Sequence, residues 1–307
     1  MAIYTELPLG DAERLARAHG LGAALRVVGV PAGSVNSNFL VDTEARRVFV
    51  RIYEEQDVDG VALEWALLDH LRAGGLPVPT RVAGPDPGEI RVAGKPTAVF
   101  EVVGGEEVCQ RMVDPARARA VGALLARSHA IGASFPHRRA GRFTRADVRR
   151  RLEGVATLDR PELREAVAVL FGTLDRLDAE WPSGLPSGVV HGDLFRDNVR
   201  WEGDRVTCVL DWESAADDAY VYDLAVTTLA WCYGDGLDQA LVTAMRAGHE
   251  AERALSPLEV TALPLALQAA ATRFTVTRIT DYHLRAEGAQ VTKDWRRFYG
   301  RLLAVSG

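Results

Sequence analysis

The chain has 307 residues, of which 48% are hydrophobic and 25% charged, and 42 acidic against 36 basic side chains give a formal net charge of −6. These values are typical of a globular protein and exclude a disordered or fibrous chain. Because a nucleic-acid-binding protein needs a basic face, the acidic balance also argues against a nucleic-acid partner.

The sequence carries no sign of secretion or membrane insertion. The N-terminal stretch MAIYTELPLGDAER lacks a basic region followed by a long apolar one, and no segment approaches about 18 uninterrupted apolar residues. Cys109, Cys208 and Cys232 include no C-x-x-C pair, so neither a disulfide framework nor a zinc site is indicated. We therefore expect a cytoplasmic protein without a membrane partner.

The first hundred residues predict a helix, a small antiparallel sheet and a second helix that crosses it. Helix-forming composition covers residues 11–19 and ends at Gly20. Apolar residues at helical spacing predict the second helix over 61–72. Short β-branched or aromatic segments bounded by turn residues predict strands over 25–29, 38–42, 47–53, 89–92 and 97–103.

Helical patterns dominate after the pair Gly104-Gly105. Asp114 followed by Pro115 is typical of a helix start and predicts a helix over 116–131. Further helices are predicted over 161–181, 223–233, 237–255 and from Ser256 to about 285, with two short strands between 188 and 210.

The change of pattern at Gly104-Gly105 predicts an α+β chain of two lobes. Residues 1–104 would form a lobe of antiparallel sheet and helix, and residues 105–307 a mainly helical lobe. The glycine pair is the expected hinge between them.

The most specific local pattern is HGDLFRDN at residues 191–198, followed by Asp211 at the end of a hydrophobic strand. Asp193 can orient an attacking hydroxyl and accept its proton, while Asn198 and Asp211 supply hard oxygen ligands to a magnesium ion that bridges ATP phosphates. Two carboxylates about 4 Å apart repel by ~4 kcal/mol at an effective dielectric near 20, so a cation explains their convergence. For residues 191–198 alone, a turn whose polar side chains bond to local backbone is the alternative.

These motifs resemble those of the aminoglycoside phosphotransferase and choline kinase superfamily, which is similar in fold to protein kinases. The resemblance covers nearly the whole chain, and MAIYTE, GSVNSNF at 33–39, HGDLFRDN, and YDLAV at 222–226 with Trp231-Cys232 resemble the homoserine kinase branch. It implies a two-lobed protein-kinase-like fold, ATP and Mg²⁺ as cofactors, and phosphorylation of the hydroxyl of a small molecule, L-homoserine, in threonine biosynthesis. Another acceptor (an amino alcohol, a thiosugar or an aminoglycoside) and a non-catalytic nucleotide-binding regulator stay open as alternatives.

The resemblance also implies roles for single residues. Asp193 would be the catalytic base, and Asn198 and Asp211 the magnesium ligands. His191 would brace the catalytic loop by hydrogen bonding. Asp223 resembles the acid that the family carries on the helix after the metal motif, with a simple helix N-cap as the alternative.

Nucleotide contacts are expected from the N-terminal lobe. The loop 33–39 can close over ATP phosphates, which makes Ser34, Asn36 and Ser37 candidates, although it lacks a full G-x-G-x-x-G and an ordinary β-turn is the alternative. The segment FVRI at 49–52 occupies the place of the kinase V-A-I-K, with Arg51 where lysine is expected. Arginine binds phosphates bidentately, and Glu64 on the next helix is its natural ion-pair partner unless that carboxylate is simply solvated.

The remaining candidates concern adenine and the acceptor. FEV at 100–102 resembles the strand whose backbone forms hydrogen bonds with adenine in this superfamily, so Glu101 would contribute main-chain hydrogen bonds. An amino-acid acceptor needs a cation for its carboxylate and an acid for its ammonium. Arg273, Arg278 and Asp281 resemble an R-F-x-x-x-R-x-x-D stretch of homoserine kinases, but Arg273 lies about 140° around a helix from Arg278, so not all three can face one ligand. A surface ion pair between Arg278 and Asp281 is the alternative.

Overall fold

The structure, a computed structural model, describes residues 3–31, 35–284 and 293–307. The chain divides into two compact units, Met1–Gly105 with Thr207–Leu210, and Glu106–Val206 with Asp211–Gly307. Thr207–Leu210 therefore belong to the first unit, although the sequence pattern placed them in the second lobe.

The first unit is built on an antiparallel sheet of five strands. Its helices are α1 (Leu9–Ala18) and α2 (Val58–Ala73), and its strands are β1 (Ala24–Val30), β2 (Ser37–Thr43), β3 (Arg47–Ile52), β4 (Arg91–Val92) and β5 (Lys95–Glu101). The strand order in the sheet is β1-β2-β3-β5-β4. Along β3 the side chains of Val48, Val50 and Ile52 are buried in the core, so Arg51 lies on the opposite face. The register pairs Arg51 with Asn38 on β2 and with Ala98 on β5.

The second unit is mainly helical. Its helices are α3 (Pro115–Gly132), α4 (Arg145–Ala156), α5 (Arg164–Glu180), α6 (Tyr220–Trp231), α7 (Gln239–Glu252), α8 (Pro257–Arg278) and α9 (Arg296–Ser306). Two predicted helix starts are confirmed, since the Asp114 side chain caps α3 and Ser256 forms a capping box with Glu259. None of the helices in the described ranges is long and apolar enough to cross a membrane.

Short strands frame the loop that carries the HGDLFRDN motif. The chain contains β6 (Ser187–Val190), β7 (Val199–Glu202), β8 (Arg205–Val209) and β9 (Ala216–Ala219), and β6 pairs antiparallel with β9. The loop thus begins where β6 ends and ends where β7 begins.

Helix α6 lies inside the second unit, because all but one of its residues are buried. A helix that is apolar around its whole circumference is typical of a core helix. Its neighbours include the long helix α8, whose alanines Ala262, Ala266 and Ala270 belong to the same core cluster as Ala225. Any polar side chain on α6 is therefore held away from solvent.

Helices α3 and α7 approach each other closely at two glycines. A Cβ atom added at Gly122 would lie 2.0 Å from the carbonyl oxygen of Met245, and one added at Gly248 would lie 2.0 Å from that of Arg119. Because both obstacles are backbone atoms, a side chain at either position would force the helices apart.

We expect Gly248→Ala to lower the free energy of unfolding by about 1–3 kcal/mol, since the added methyl group overpacks this contact. The matched control is Gly172→Ala in the middle of α5, where an added Cβ meets nothing within 4 Å. That variant should gain up to about 1 kcal/mol from helix propensity. Urea unfolding followed by circular dichroism measures both, and a stabilised Gly248→Ala would contradict the close approach.

Candidate active site

The loop between β6 and β7 closes on itself around Asp193. The Asp193 carbonyl oxygen accepts hydrogen bonds from the Phe195 N–H and from Asn198 Nδ2, both at 2.8 Å. The Asp193 N–H donates to Nδ1 of His191 at 3.2 Å, and the His191 ring is buried with its centroid 4.6 Å from that of Trp212. His191 thereby braces the loop from its inner side.

Asp223 ties this loop to helix α6. Its carboxylate, fully buried, accepts the backbone N–H groups of His191 and Gly192 at 2.8 Å each and lies 3.0 Å from Nε2 of His129. Burial alone would raise the pKa of Asp223, but the hydrogen bond and charge of His129, with smaller contributions from His191 and Gly192, hold it below its usual value. The N-cap of α6 is Ala219, so the alternative reading of Asp223 as a helix cap is wrong.

The Asp193 side chain is half-buried among charged groups. Loss of solvent raises its pKa to about 7, Arg273 and Lys293 act in the opposite direction, and the negative charges of Asp211 and Asp197 raise it further. Because Asp211 acts on Asp193 through its charge, the two carboxylates are electrostatic neighbours. A carboxylate in this setting can exchange a proton near neutral pH.

Asp211 stands in a backbone conformation that few residues other than glycine adopt. Its φ of 63° and ψ of 60° are left-handed, and the 3₁₀ turn Trp212–Ser214 follows directly. Such a conformation costs of order 1–3 kcal/mol and is concentrated at functional sites.

The oxygen atoms of Asn198 and Asp211 fit a hard divalent cation. Asn198 uses its Nδ2 group on the loop backbone, which leaves Oδ1 for another partner. Within the described ranges no three His, Cys, Asp or Glu side chains gather into a metal site. Magnesium suits such a sparse set, because it is commonly held by one or two protein oxygens together with phosphates and water.

In the first unit, the predicted ion pair between Arg51 and Glu64 is present. The Arg51 guanidinium lies 3.8 Å from Glu64 Oε1, and its Nε donates to Asn38 Oδ1 at 3.3 Å. Glu64 is buried and also accepts from Tyr53 Oη at 3.3 Å and from Gln56 Nε2 at 3.0 Å. These contacts fix the position of the arginine on its strand.

The polar loop before β2 is only partly available to a nucleotide. Ser37 is fully buried, and its hydroxyl accepts the N–H groups of Tyr4 and Thr5 and donates to Glu54. Since these three bonds use the whole capacity of a hydroxyl, the predicted phosphate contact of Ser37 is corrected to a structural role. Asn36 is buried too and accepts the Glu54 N–H at 3.2 Å, while Ser34 lies outside the described residues.

Two further residues of the first unit have partners that sequence did not reveal. Lys95 begins β5 and forms an ion pair with Glu54 and a 2.8 Å hydrogen bond to Thr5 Oγ1. The Glu101 N–H donates to the carbonyl oxygen of Thr80 at 2.8 Å, so this main-chain donor is not free for an adenine base.

The three residues predicted to bind the acceptor substrate have different partners and do not form one site. Arg273 is buried, donates to the carbonyl oxygen of Gly192 and stacks over Phe143 at 4.3 Å, so it supports the catalytic loop. Asp281 pairs with Arg151 at 2.6 Å rather than with Arg278, because α8 ends at Arg278 and the π-helical turn Ile279–His283 changes the angular spacing. Only Arg278 retains the features of a ligand-binding cation.

Comparison with known proteins identifies the family. The model of the phosphotransferase enzyme family matches residues 26–258, which include Asp193, Asn198 and Asp211. The chain belongs to the phosphotransferase enzyme family. The homoserine kinase of Methylobacterium nodulans is 36% identical over 99% of this chain and 95% of its own length, and that of Caulobacter vibrioides is 35% identical over 99% and 97%.

Solved structures support the fold class of this phosphotransferase. An amicoumacin kinase in complex with AMP-PNP and Ca²⁺ superposes with a TM-score of 0.71 at 15% identity, over 96% of this chain and 92% of that one. An aminoglycoside 2′-phosphotransferase in its GDP complex gives a TM-score of 0.67 at 18% identity, over 98% of both chains. The predicted protein-kinase-like α+β fold is confirmed.

Behind the catalytic loop of the phosphotransferase lie two buried histidines that sequence reasoning missed. His129 on α3 contacts Asp223, and the ring of His249 on α7 lies 5.8 Å from that of His129. Burial, with smaller contributions from His129 and Arg253, lowers the pKa of His249 to about 3. No local motif marks these residues, since His129 and Asp223 are 94 positions apart.

We expect stability to fall as pH drops from about 6.5 toward 3. In this window the unfolded chain binds a proton at His249 and the folded phosphotransferase does not, so protons favour unfolding by up to about 1.4 kcal/mol per pH unit. His249→Met should flatten this dependence, whereas His137→Gln at an exposed site should not. Urea unfolding at pH 4.5, 5.5 and 7 measures the slope, and an unchanged slope for His249→Met would exclude His249 as its source.

Proposed function

We propose that this phosphotransferase transfers the γ-phosphoryl group of ATP to the hydroxyl of L-homoserine, which gives O-phospho-L-homoserine for threonine biosynthesis. The observation that carries the choice of acceptor is the similarity to homoserine kinases at 34–36% identity over 95–99% of the chain. The two solved structures described above are 15% and 18% identical to this chain and support the fold alone.

The catalytic loop supplies the base. Asp193 would accept the hydrogen bond of the acceptor hydroxyl, orient its oxygen toward the γ-phosphorus and take the proton as the new P–O bond forms. Its backbone is held by His191 and Asn198, and the loop is held by Asp223, so the carboxylate is positioned before substrate binds.

Asn198 and Asp211 are the residues that would hold Mg²⁺, which when bound neutralises phosphate charge. The neighbouring carboxylates of Asp211 and Asp193 support this role, because their mutual repulsion favours a cation beside them.

Arg51 would contact the phosphates from the first unit. Its Nε donates to Asn38 Oδ1, and the buried Glu64 carboxylate lies 3.8 Å from the guanidinium and holds it in place. Arginine offers two parallel donors to a phosphate where a lysine would offer a point charge.

The proposal is tested by ADP release with ATP, Mg²⁺ and one of five acceptors: L-homoserine, L-serine, choline, methylthioribose or kanamycin. Homoserine should give the highest kcat/KM, and mass spectrometry should detect its phosphate ester.

Asp193→Asn should lower kcat by at least about 100-fold while nucleotide binding persists, because only proton transfer and hydroxyl orientation are lost. Asp235→Asn, at an exposed site, is the matched control; turnover of another acceptor alone would overturn the homoserine assignment.

Loss of the arginine on β3 should affect ATP rather than the acceptor. We expect Arg51→Met to raise KM for ATP about tenfold or more, since a charged hydrogen bond to phosphate contributes about 1.5–3 kcal/mol. Arg51→Lys should recover part of the loss. Arg47→Met, which removes an exposed arginine of the same strand, is the control, and equal effects of Arg47→Met and Arg51→Met on KM would contradict the assignment.

A further inference from the structure

A polar cavity of about 790 Å³ opens beside the catalytic loop, entirely within the second unit. Its wall includes Phe195, Arg196 and Asp197 of the loop, Arg278 at the end of α8, and Lys293 and Arg297 near the start of α9. The family match ends at residue 258, and neither this match nor the names of the relatives assign a role to Arg278, Lys293 or Arg297.

Arg278 is the inner cation of this cavity. Its guanidinium lies 4.4 Å from the centre of the Phe298 ring and donates one hydrogen bond, from Nη1 to the carbonyl oxygen of Asp294 at 3.2 Å. The buried Nε atom has no hydrogen-bond partner, and Arg278 makes no salt bridge with any described residue. Burial lowers the pKa of Arg278 to about 10, so the cavity wall holds a charged group that lacks a counter-ion.

Two further cations of the wall also lack acidic partners. Lys293 and Arg297 are exposed, and neither forms a salt bridge within the part of the chain that the structure describes. Arg196 differs, because it is bonded to Gln110 and to the carbonyl oxygen of Ala230. Arg278, Lys293 and Arg297 are therefore the cations that can bind an anion here.

The acidic residues of the cavity also differ in whether they already form a salt bridge. Glu107 pairs with Arg200 at 2.7 Å, and Asp294 pairs with Arg296 at 3.4 Å. Asp197 is exposed and makes no salt bridge with a described residue. The cavity thus offers three cations and one carboxylate to a ligand, an arrangement that suits an anion with a nearby positive group and disfavours a polycation.

The cavity is electrostatically coupled to the catalytic base. The charge of Lys293 lowers the pKa of Asp193, that of Asp197 raises it, and Asp193 in turn acts on Arg278. Asp193 also belongs to the same loop as Phe195 and Asp197, which line the cavity. A small ligand bound by these residues would therefore lie beside the loop that carries Asp193.

We propose that this cavity is the recognition site for the zwitterionic end of an α-amino acid, in which Arg278, Lys293 and Arg297 bind the carboxylate and Asp197 binds the ammonium group. The proposal rests on the proposed function, because it states how the same active site selects its acceptor. It makes the site selective for hydroxy amino acids over amino alcohols and aminoglycosides, since an acceptor without a carboxylate leaves three cations unpaired.

The test compares L-homoserine with two analogues that each lack one charge. 3-Amino-1-propanol is homoserine without the carboxylate, and 4-hydroxybutyrate is homoserine without the ammonium group. Arg278→Met should lower the ratio of kcat/KM for homoserine over 3-amino-1-propanol by about 10- to 100-fold, as expected for a charged hydrogen bond. Asp197→Asn should not change that ratio, but it should lower the ratio of kcat/KM for homoserine over 4-hydroxybutyrate. If an analogue is not turned over, its inhibition constant against homoserine, compared between wild type and variant, reports the change in its binding instead.

A second pair of variants covers the case in which Arg278→Met does not fold. Lys293→Gln with Arg297→Gln changes exposed side chains and should raise KM for homoserine about tenfold or more with little change in kcat. Arg296→Gln is the matched control, because this neighbouring exposed arginine pairs with Asp294 and does not line the cavity.

The outcomes separate the two proposals. Absence of homoserine turnover by the wild-type enzyme would overturn the proposed function itself. Turnover of homoserine with equal losses for homoserine and 3-amino-1-propanol in Arg278→Met, or no change of KM in the double variant, would overturn the recognition site while leaving the kinase activity in place.

Discussion

The catalytic half of this protein depends on one buried carboxylate. Asp223 sits in the first turn of an interior helix and accepts two consecutive backbone N–H groups of the catalytic loop, with His129 beside it. At the other end of the same helix, the Trp231 indole N–H donates to the carbonyl oxygen of Leu194 at 3.0 Å. A loop that is fastened to a core helix at two points, on either side of Asp193, can hold a reactive side chain in place without substrate.

This arrangement explains why so many buried polar groups surround the loop. A buried anion is stable only with compensating hydrogen bonds and charges, which His129, His191 and Gly192 supply. Arg273 completes the frame by bonding to the Gly192 carbonyl oxygen from helix α8. These buried residues thus hold the backbone of the loop that carries Asp193.

The first unit uses the same principle to hold its polar loop. Ser37, Glu54, Thr5 and Lys95 form one connected set of hydrogen bonds and an ion pair, which joins the N-terminal segment to strands β2 and β5. The pKa of Glu54 is lowered, because its bonds to Lys95, Ser37 and Thr5 outweigh the effect of burial. Tyr4 and Thr5 of the N-terminal segment hold Ser37 by their backbone N–H groups.

Local sequence patterns determined the α+β class, the sheet strands, most helices and the candidates Asp193, Asn198 and Asp211, because turn residues, periodicity and a short motif are all encoded within a few positions. Helices α4 and α9 were not predicted; α4 is rich in arginine and has a weak apolar stripe. Only the tertiary structure decided that Ser37 and Arg273 support loops, that Asp281 belongs to Arg151, and that Arg278 lies beside Lys293 and Arg297. The partners of a buried polar group come from distant parts of the chain, so its role follows from packing rather than from its neighbours in sequence.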